Sequence, residues 1–121
     1  MNHFRFENME IWQEAISISD TLFDYANLAD EKRFYKFAEQ LRAAGMSISN
    51  NIAEGSGSFS DRDFAHFLNI SRRSLFECAN ILFIFQRRDI ISEQQRYEAN
   101  QKLIQLFKKI TNFRKSLSIN S

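Results

Sequence analysis

Apolar residues recur along this chain in steps of three and four, and that period belongs to the α-helix. Ile11, Ala15, Ile18, Leu22 and Tyr25 line one face of a first segment, widened by Trp12, Ile16 and Phe23. Phe34, Phe37, Leu41, Ala44, Ile48 and Ile52 line a second. In a third, Phe64, Leu68, Ser71, Leu75, Cys78, Leu82 and Phe85 alternate strictly between steps of four and three, which makes a sustained heptad seam. Leu103, Phe107, Ile110 and Leu117 mark the inner side of a fourth. The pattern predicts helices over about 8–28, 32–54, 60–88 and 92–117.

Start and stop signals support these limits. Asn8 is a candidate cap for the first helix. Ser60-Asp61-Arg62-Asp63 resembles a capping box, and Ser92-Glu93-Gln94-Gln95 is a full one. Gly55-Ser56-Gly57-Ser58 is read as the end of the second helix, with glycine in the left-handed position that closes many helices. The connections are short, and short connections force neighbouring helices to run antiparallel. The expected fold is therefore all-α, an antiparallel up-down-up-down four-helix bundle.

Length and composition agree with this. At roughly 150 residues per domain, 121 residues make one domain spanning 1–121. Hydrophobic residues are 44% and charged residues 26%, ordinary for a globular chain and unlike a disordered one. Three glycines and no proline disfavour sandwiches and barrels, which need many tight turns. Net charge is only +1, but it is unevenly spread. Residues 1–59 hold five Lys/Arg and nine Asp/Glu; residues 60–121 hold eleven and six. Two readings fit: attraction between helices within or between subunits, or a basic surface for an anionic partner. One cysteine, Cys78, makes an internal disulfide impossible. With no apolar leader and no run near the ~20 residues of a membrane span, the expected location is the cytoplasm, with no membrane association.

The third segment carries more apolar surface than one seam uses. Phe76, Ile81, Phe83 and Ile84 fall beside it, and the chain holds 13 Phe. One apolar stripe suffices for a bundle helix. The surplus implies either a Phe-rich core or an interface between copies, and Phe76, Ile81, Phe83 and Ile84 are the interface candidates.

Sites of chemistry are scarce. His3 falls in an N-terminal stretch read as a mobile tail, and His66 has Arg62 and Ile70 four residues away and only Asp63, three before it, as an acidic partner, so both are read as surface or interface histidines. Cys78 lies on the apolar seam, the setting of a small hydrophobe and not of a nucleophile. The Glu-x-x-His pairs of bundle di-metal sites are absent. Gly55-Ser56-Gly57 follows a helix, so it does not read as a phosphate loop. The expectation is no enzymatic activity, no cofactor, no metal and no small-molecule substrate. Asn51 and Glu54 on the second helix and Ser74 and Glu77 on the third fall at matching depth if the two form a hairpin. They are read as a polar clasp, with a ligand or partner contact as the alternative.

The run Ser47-Ile48-Ser49-Asn50-Asn51-Ile52-Ala53-Glu54-Gly55 resembles a signature of the bacterial four-helix-bundle family encoded in intervening sequences of 23S ribosomal RNA genes. Gln40 to Ala44, Phe64 to Leu68, Ser74 to Glu77 and Trp12 to Ala15 extend the resemblance over about residues 4–115. Two departures stand out. Ser49 replaces a common proline, which straightens the second helix, and Ser71-Arg72-Arg73-Ser74 replaces a smaller Ala-x-Gly-Ser pattern. The resemblance implies a cytoplasmic ring, a homopentamer, with RNA or a ribonucleoprotein as partner. Candidate RNA contacts are Arg72, Arg73, Arg87, Arg88, Lys102, Lys108, Lys109, Arg114 and Lys115. The competing reading is a protein–protein adaptor with no nucleic-acid role.

Overall fold

Ile11, Ala15, Ile18, Leu22, Ala26 and Ala29 turn inward along one side of a helix that runs Glu10–Glu31 (α1). Three more helices follow: α2 over Tyr35–Ser56, α3 over Asp61–Arg87 and α4 over Glu93–Lys115. The computed structural model describes residues 2–118, and among them there is no strand. α1 outlasts its expected end because Ala26 and Ala29 continue the buried period through a stretch that is otherwise polar. Asn8 does not cap it. Residues Arg5–Asn8 instead form a short 3-10 helix, and the Asn8 amide faces the His3 ring at 2.6 Å. Met9 takes the cap position without a side-chain bond, and Arg5 lies over the Phe64 ring at 5.2 Å.

Bonds between the elements set the antiparallel order. Lys32 Nζ donates to the Asp89 carbonyl at 2.6 Å, so the α1–α2 and α3–α4 connections share one end of the bundle. Tyr25 Oη donates to the Gln95 carbonyl at 3.2 Å, which sets the second half of α1 beside the start of α4. Lys109 pairs with Glu10 and Glu14, tying the second half of α4 to the start of α1. Each helix thus packs on its two neighbours, and α2 with α3 forms the most extensive pair.

Small residues explain that intimacy. A Cβ on Gly55 would stand 2.7 Å from Phe64 Cδ1 and 2.8 Å from Phe67 Cβ. A Cβ on Gly45 would stand 3.3 Å from Leu22 Cδ1 on α1. Ser71, fully buried, donates to the Ile48 carbonyl at 2.9 Å. The polar contact across the α2–α3 seam is thus built from hydroxyls. Ser74 Oγ meets Ser47 Oγ at 2.8 Å, and Asn51 Nδ2 donates to the Ser47 carbonyl at 2.7 Å. Ser74 and Asn51 belong to this network, joined by Ser47 and Ser71. Glu54 and Glu77 are exposed and lie outside it, because an unpaired carboxylate is costly to bury while a hydroxyl bonds a neighbouring carbonyl readily.

Helix ends divide into two kinds. Ser60 and Ser92 cap α3 and α4 as their sequences predict, accepting from Asp63 N at 3.1 Å and Gln95 N at 3.0 Å. The C-terminal ends depart from expectation. No glycine adopts a positive φ, and Gly57 sits at φ −89°. Among the described residues the left-handed ones are Arg33 (φ 67°) and Asp89 (φ 57°). Each is followed by an amide that reaches back into the last turn of the helix: Phe34 N to the Ala29 carbonyl at 2.8 Å, and Ile90 N to the Phe85 carbonyl at 2.9 Å. These are Schellman closures.

Candidate functional site

The heptad seam of α3, from Phe64 through Leu68, Ser71, Leu75, Cys78 and Leu82 to Phe85, is buried along its length. What it leaves outside defines the surface. Phe76 is 64% exposed and Phe83 51%, seven residues apart on one side of α3, with Ile84 beside them. Ile81, expected with this group, is 6% exposed and belongs to the protomer's own core. The reason is its phase: Ile81 follows Cys78 by three residues and precedes Phe85 by four, so it turns inward. The exposed set on α3 is therefore Phe76, Phe83 and Ile84.

α4 contributes residues outside the predicted interface set. Tyr97 and Ile104 are exposed, again seven apart. Between the two helices runs an open groove of about 360 Å³, lined by Leu75, Phe76, Ala79, Leu103, Ile104 and Phe107. Asn100 and Lys108 are its polar members. The Phe76 and Phe107 rings meet edge-to-face at 5.3 Å. Arg72 stacks over Phe107 at 5.0 Å and Arg96 over Phe83 at 4.2 Å, so guanidinium groups border the apolar strip. Seven-residue spacing of Tyr97 and Ile104 on a helix whose inner face is already filled was the signal available in the sequence.

The nine candidate cations do not converge on one protomer. Lys109 is held by Glu10 and Glu14 on the α1 side. Lys102 faces the same side, lining a hollow with Glu14, Ser17 and Ile18. Arg114 donates from Nε to the Ala65 carbonyl at 3.1 Å, and Lys115 follows it at the end of α4. Arg72 and Lys108 border the groove, with Arg73 exposed nearby on α3. Arg87 and Arg88 sit at the opposite end of the bundle from Lys115, on the far side of a helix about 35 Å long.

The other chemistry candidates have plain settings. Burial, with the Glu77 charge beside it, pushes the Cys78 thiol up to about 12, so the thiolate does not form near neutral pH. His66 is exposed and its ring packs against Phe67 at 5.8 Å. Among the described residues no group of three or more His, Cys, Asp or Glu side chains is placed to hold a metal ion. Among them, too, no helix is long and apolar enough to cross a membrane.

Comparison with known proteins adds to this geometry. The chain is similar in fold to a crystal structure of a protein of unknown function from the S23 ribosomal protein family of Bacteroides thetaiotaomicron. The TM-score is 0.82 at 20% identity, covering 88% of this chain and 99% of the other. No curated protein matches the chain. The family described as 23S rRNA-intervening sequence protein matches residues 7–112, a span that takes in the Gly55 crossing, the hydroxyl seam and the apolar groove, and the chain belongs to that family.

Proposed function

We propose that this chain is a cytoplasmic, non-enzymatic scaffold that assembles with copies of itself and, as an assembly, contacts RNA. The observation that carries self-assembly is the apolar strip of Phe76, Phe83, Tyr97 and Ile104 beside an open apolar groove. Removing such surface from water stabilises association by about 25 cal/mol per Å² before the cost of ordering is subtracted. Charge supports contact between unlike faces: the strip is bordered by Arg72, Arg96 and Lys108, whereas residues 1–59 carry the acidic excess. A contact between unlike faces closes into a ring when its rotation allows. The family resemblance favours five copies. The lone buried thiol suits a reducing compartment.

Multi-angle light scattering at micromolar concentration tests the assembly. The expected mass is a multiple of 14.3 kDa. Phe76→Glu with Phe83→Glu is expected to return a helical particle near 14.3 kDa. A wild-type mass near 14.3 kDa at that concentration overturns the proposal. A protein–protein adaptor is the second reading, favoured by the engagement of Lys109 and Arg114 inside the fold. Capture of one stoichiometric protein partner, insensitive to nuclease, supports it over RNA contact.

A further inference from the structure

The bond from Lys32 to the Asp89 carbonyl joins two connections that lie 57 residues apart in the chain. It gathers cations from both halves of the sequence at one end of the bundle: Lys32, Arg33 and Lys36 from around the α1–α2 connection, Arg87 and Arg88 from the end of α3. Of the carboxylates at this end, Asp30 is already held by Arg42 at 2.6 Å. Glu31, Glu39, Asp89 and Glu93 oppose the five cations, which leaves a small positive excess. Two open hollows, each about 240 Å³, mark the surface. One is lined by Arg33, Phe34, Tyr35, Lys36 and Phe37, the other by Ile84, Arg87 and Arg88.

Aromatic groups are interleaved with the charges. Tyr35 is 59% exposed, between Arg33 and Lys36 on the rim of the first hollow. Phe34 and Phe37, which line the same hollow, stack in parallel with centroids 5.3 Å apart. The left-handed turn at Arg33 and its Schellman closure fix this segment to the end of α1. Cations that track a phosphate chain, with an exposed ring for a base to stack on, are what an unpaired nucleic-acid strand recognises. A peptide of acidic residues alone has the charge but nothing to stack on Tyr35.

We propose that this end of the bundle binds single-stranded RNA, with Lys32, Arg33, Lys36, Arg87 and Arg88 on phosphates and Tyr35 stacked on a base. This rests on the RNA contact proposed above and moves it from the faces of α3 and α4 to the connections. Fluorescence anisotropy of a labelled oligouridine against the full-length protein at low salt tests it. Arg33→Glu with Lys36→Glu, and separately Arg87→Glu with Arg88→Glu, are each expected to weaken binding at least tenfold. Each pair is expected to flatten the log–log salt slope by about 1.4, since two phosphates are no longer neutralised. Tyr35→Ala is expected to weaken binding about fivefold with the salt slope unchanged. Lys102→Glu and Lys115→Glu, on other surfaces, are expected to stay within about twofold of wild type. All these side chains are exposed, and circular dichroism checks that the helices persist. No binding by wild type overturns this inference. Displacement of oligouridine by polyglutamate with no effect of Tyr35→Ala overturns it in favour of a plain polyanion surface. Binding that survives the changes at this end but is abolished in Arg73→Glu with Lys108→Glu overturns the location and leaves RNA contact itself standing. Light scattering on the same samples reads self-assembly independently.

Discussion

Gly55 occupies the last turn of α2, where the helix passes under Phe64 and Phe67 of α3. Any side chain there meets ring and Cβ atoms below 3.0 Å. Gly57, two residues on, has an ordinary backbone angle and only the Glu54 carbonyl at 3.5 Å near a hypothetical Cβ. The two glycines look alike in the sequence and do different things. Gly55→Ala is expected to cost about 1–3 kcal/mol, since α2 and α3 must separate or Phe64 must leave its rotamer. Gly57→Ala is expected to be neutral or to stabilise by up to about 1 kcal/mol, through the unfolded chain. Urea denaturation of both variants checks the pair, and equal losses would contradict the assignment. The glycine run was legible as a helix end. Its close approach was not, because Phe64 and Phe67 reach Gly55 only once α3 has folded back.

At the scale of elements, the serine caps of α3 and α4 were legible and the left-handed closures that follow α1 and α3 were not, although α3 ends at Arg87, next to its expected limit. A cap such as Ser92 with Gln95 involves four consecutive residues, so its signal is local. A Schellman closure on Arg33 or Asp89 has no glycine to announce it. It holds because Phe34 and Ile90 dock on the core and pull the preceding residue into the left-handed region. That conformation costs a residue with a Cβ about 1–2 kcal/mol, less for Asp, whose short polar side chain tolerates it. Arg33→Gly is therefore expected to raise stability by about 1 kcal/mol and Asp89→Gly by a few tenths. Thermal melts of the two variants check the order. A loss of stability in Arg33→Gly would show that its side chain contributes more than its backbone strain costs. The same variant removes a cation from the proposed RNA surface, so a gain in stability with a loss in affinity is the combined expectation.

At the scale of the whole molecule, three groups among the described residues hold their protons more tightly when folded. Burial raises Cys78 and Tyr25, and the bonds Lys109 donates to Glu10 and Glu14 raise Lys109. The sign is the same for each. Below the unfolded value, both states are protonated and stability is at its full value. Above it, the unfolded chain releases a proton that the folded chain keeps, and stability falls. For Cys78 the window opens near the ordinary thiol value of about 8.5 and closes at about 12. Lys109 is exposed, and its ion pairs are screened by solvent. Urea midpoints are therefore expected to drop from pH 8 towards pH 10.5 in wild type and to drop less in Cys78→Ala, which starts about 1 kcal/mol lower from its poorer packing. Parallel curves would place the alkaline loss elsewhere.

The heptad seam, the two serine caps and the burial of Cys78 were determined by the sequence alone, because each depends on neighbours within one or two helical turns. Local spacing also marked Phe76 and Phe83 as surplus to the core. It could not sort Ile81 from them, since that requires knowing which side of α3 the other helices occupy. Nor could it show that Ser47, not Glu54 or Glu77, meets Ser74, or that Lys32 and Arg88 end up at one pole. Those pairings join residues from separate helices, and only the packed bundle brings them within bonding distance.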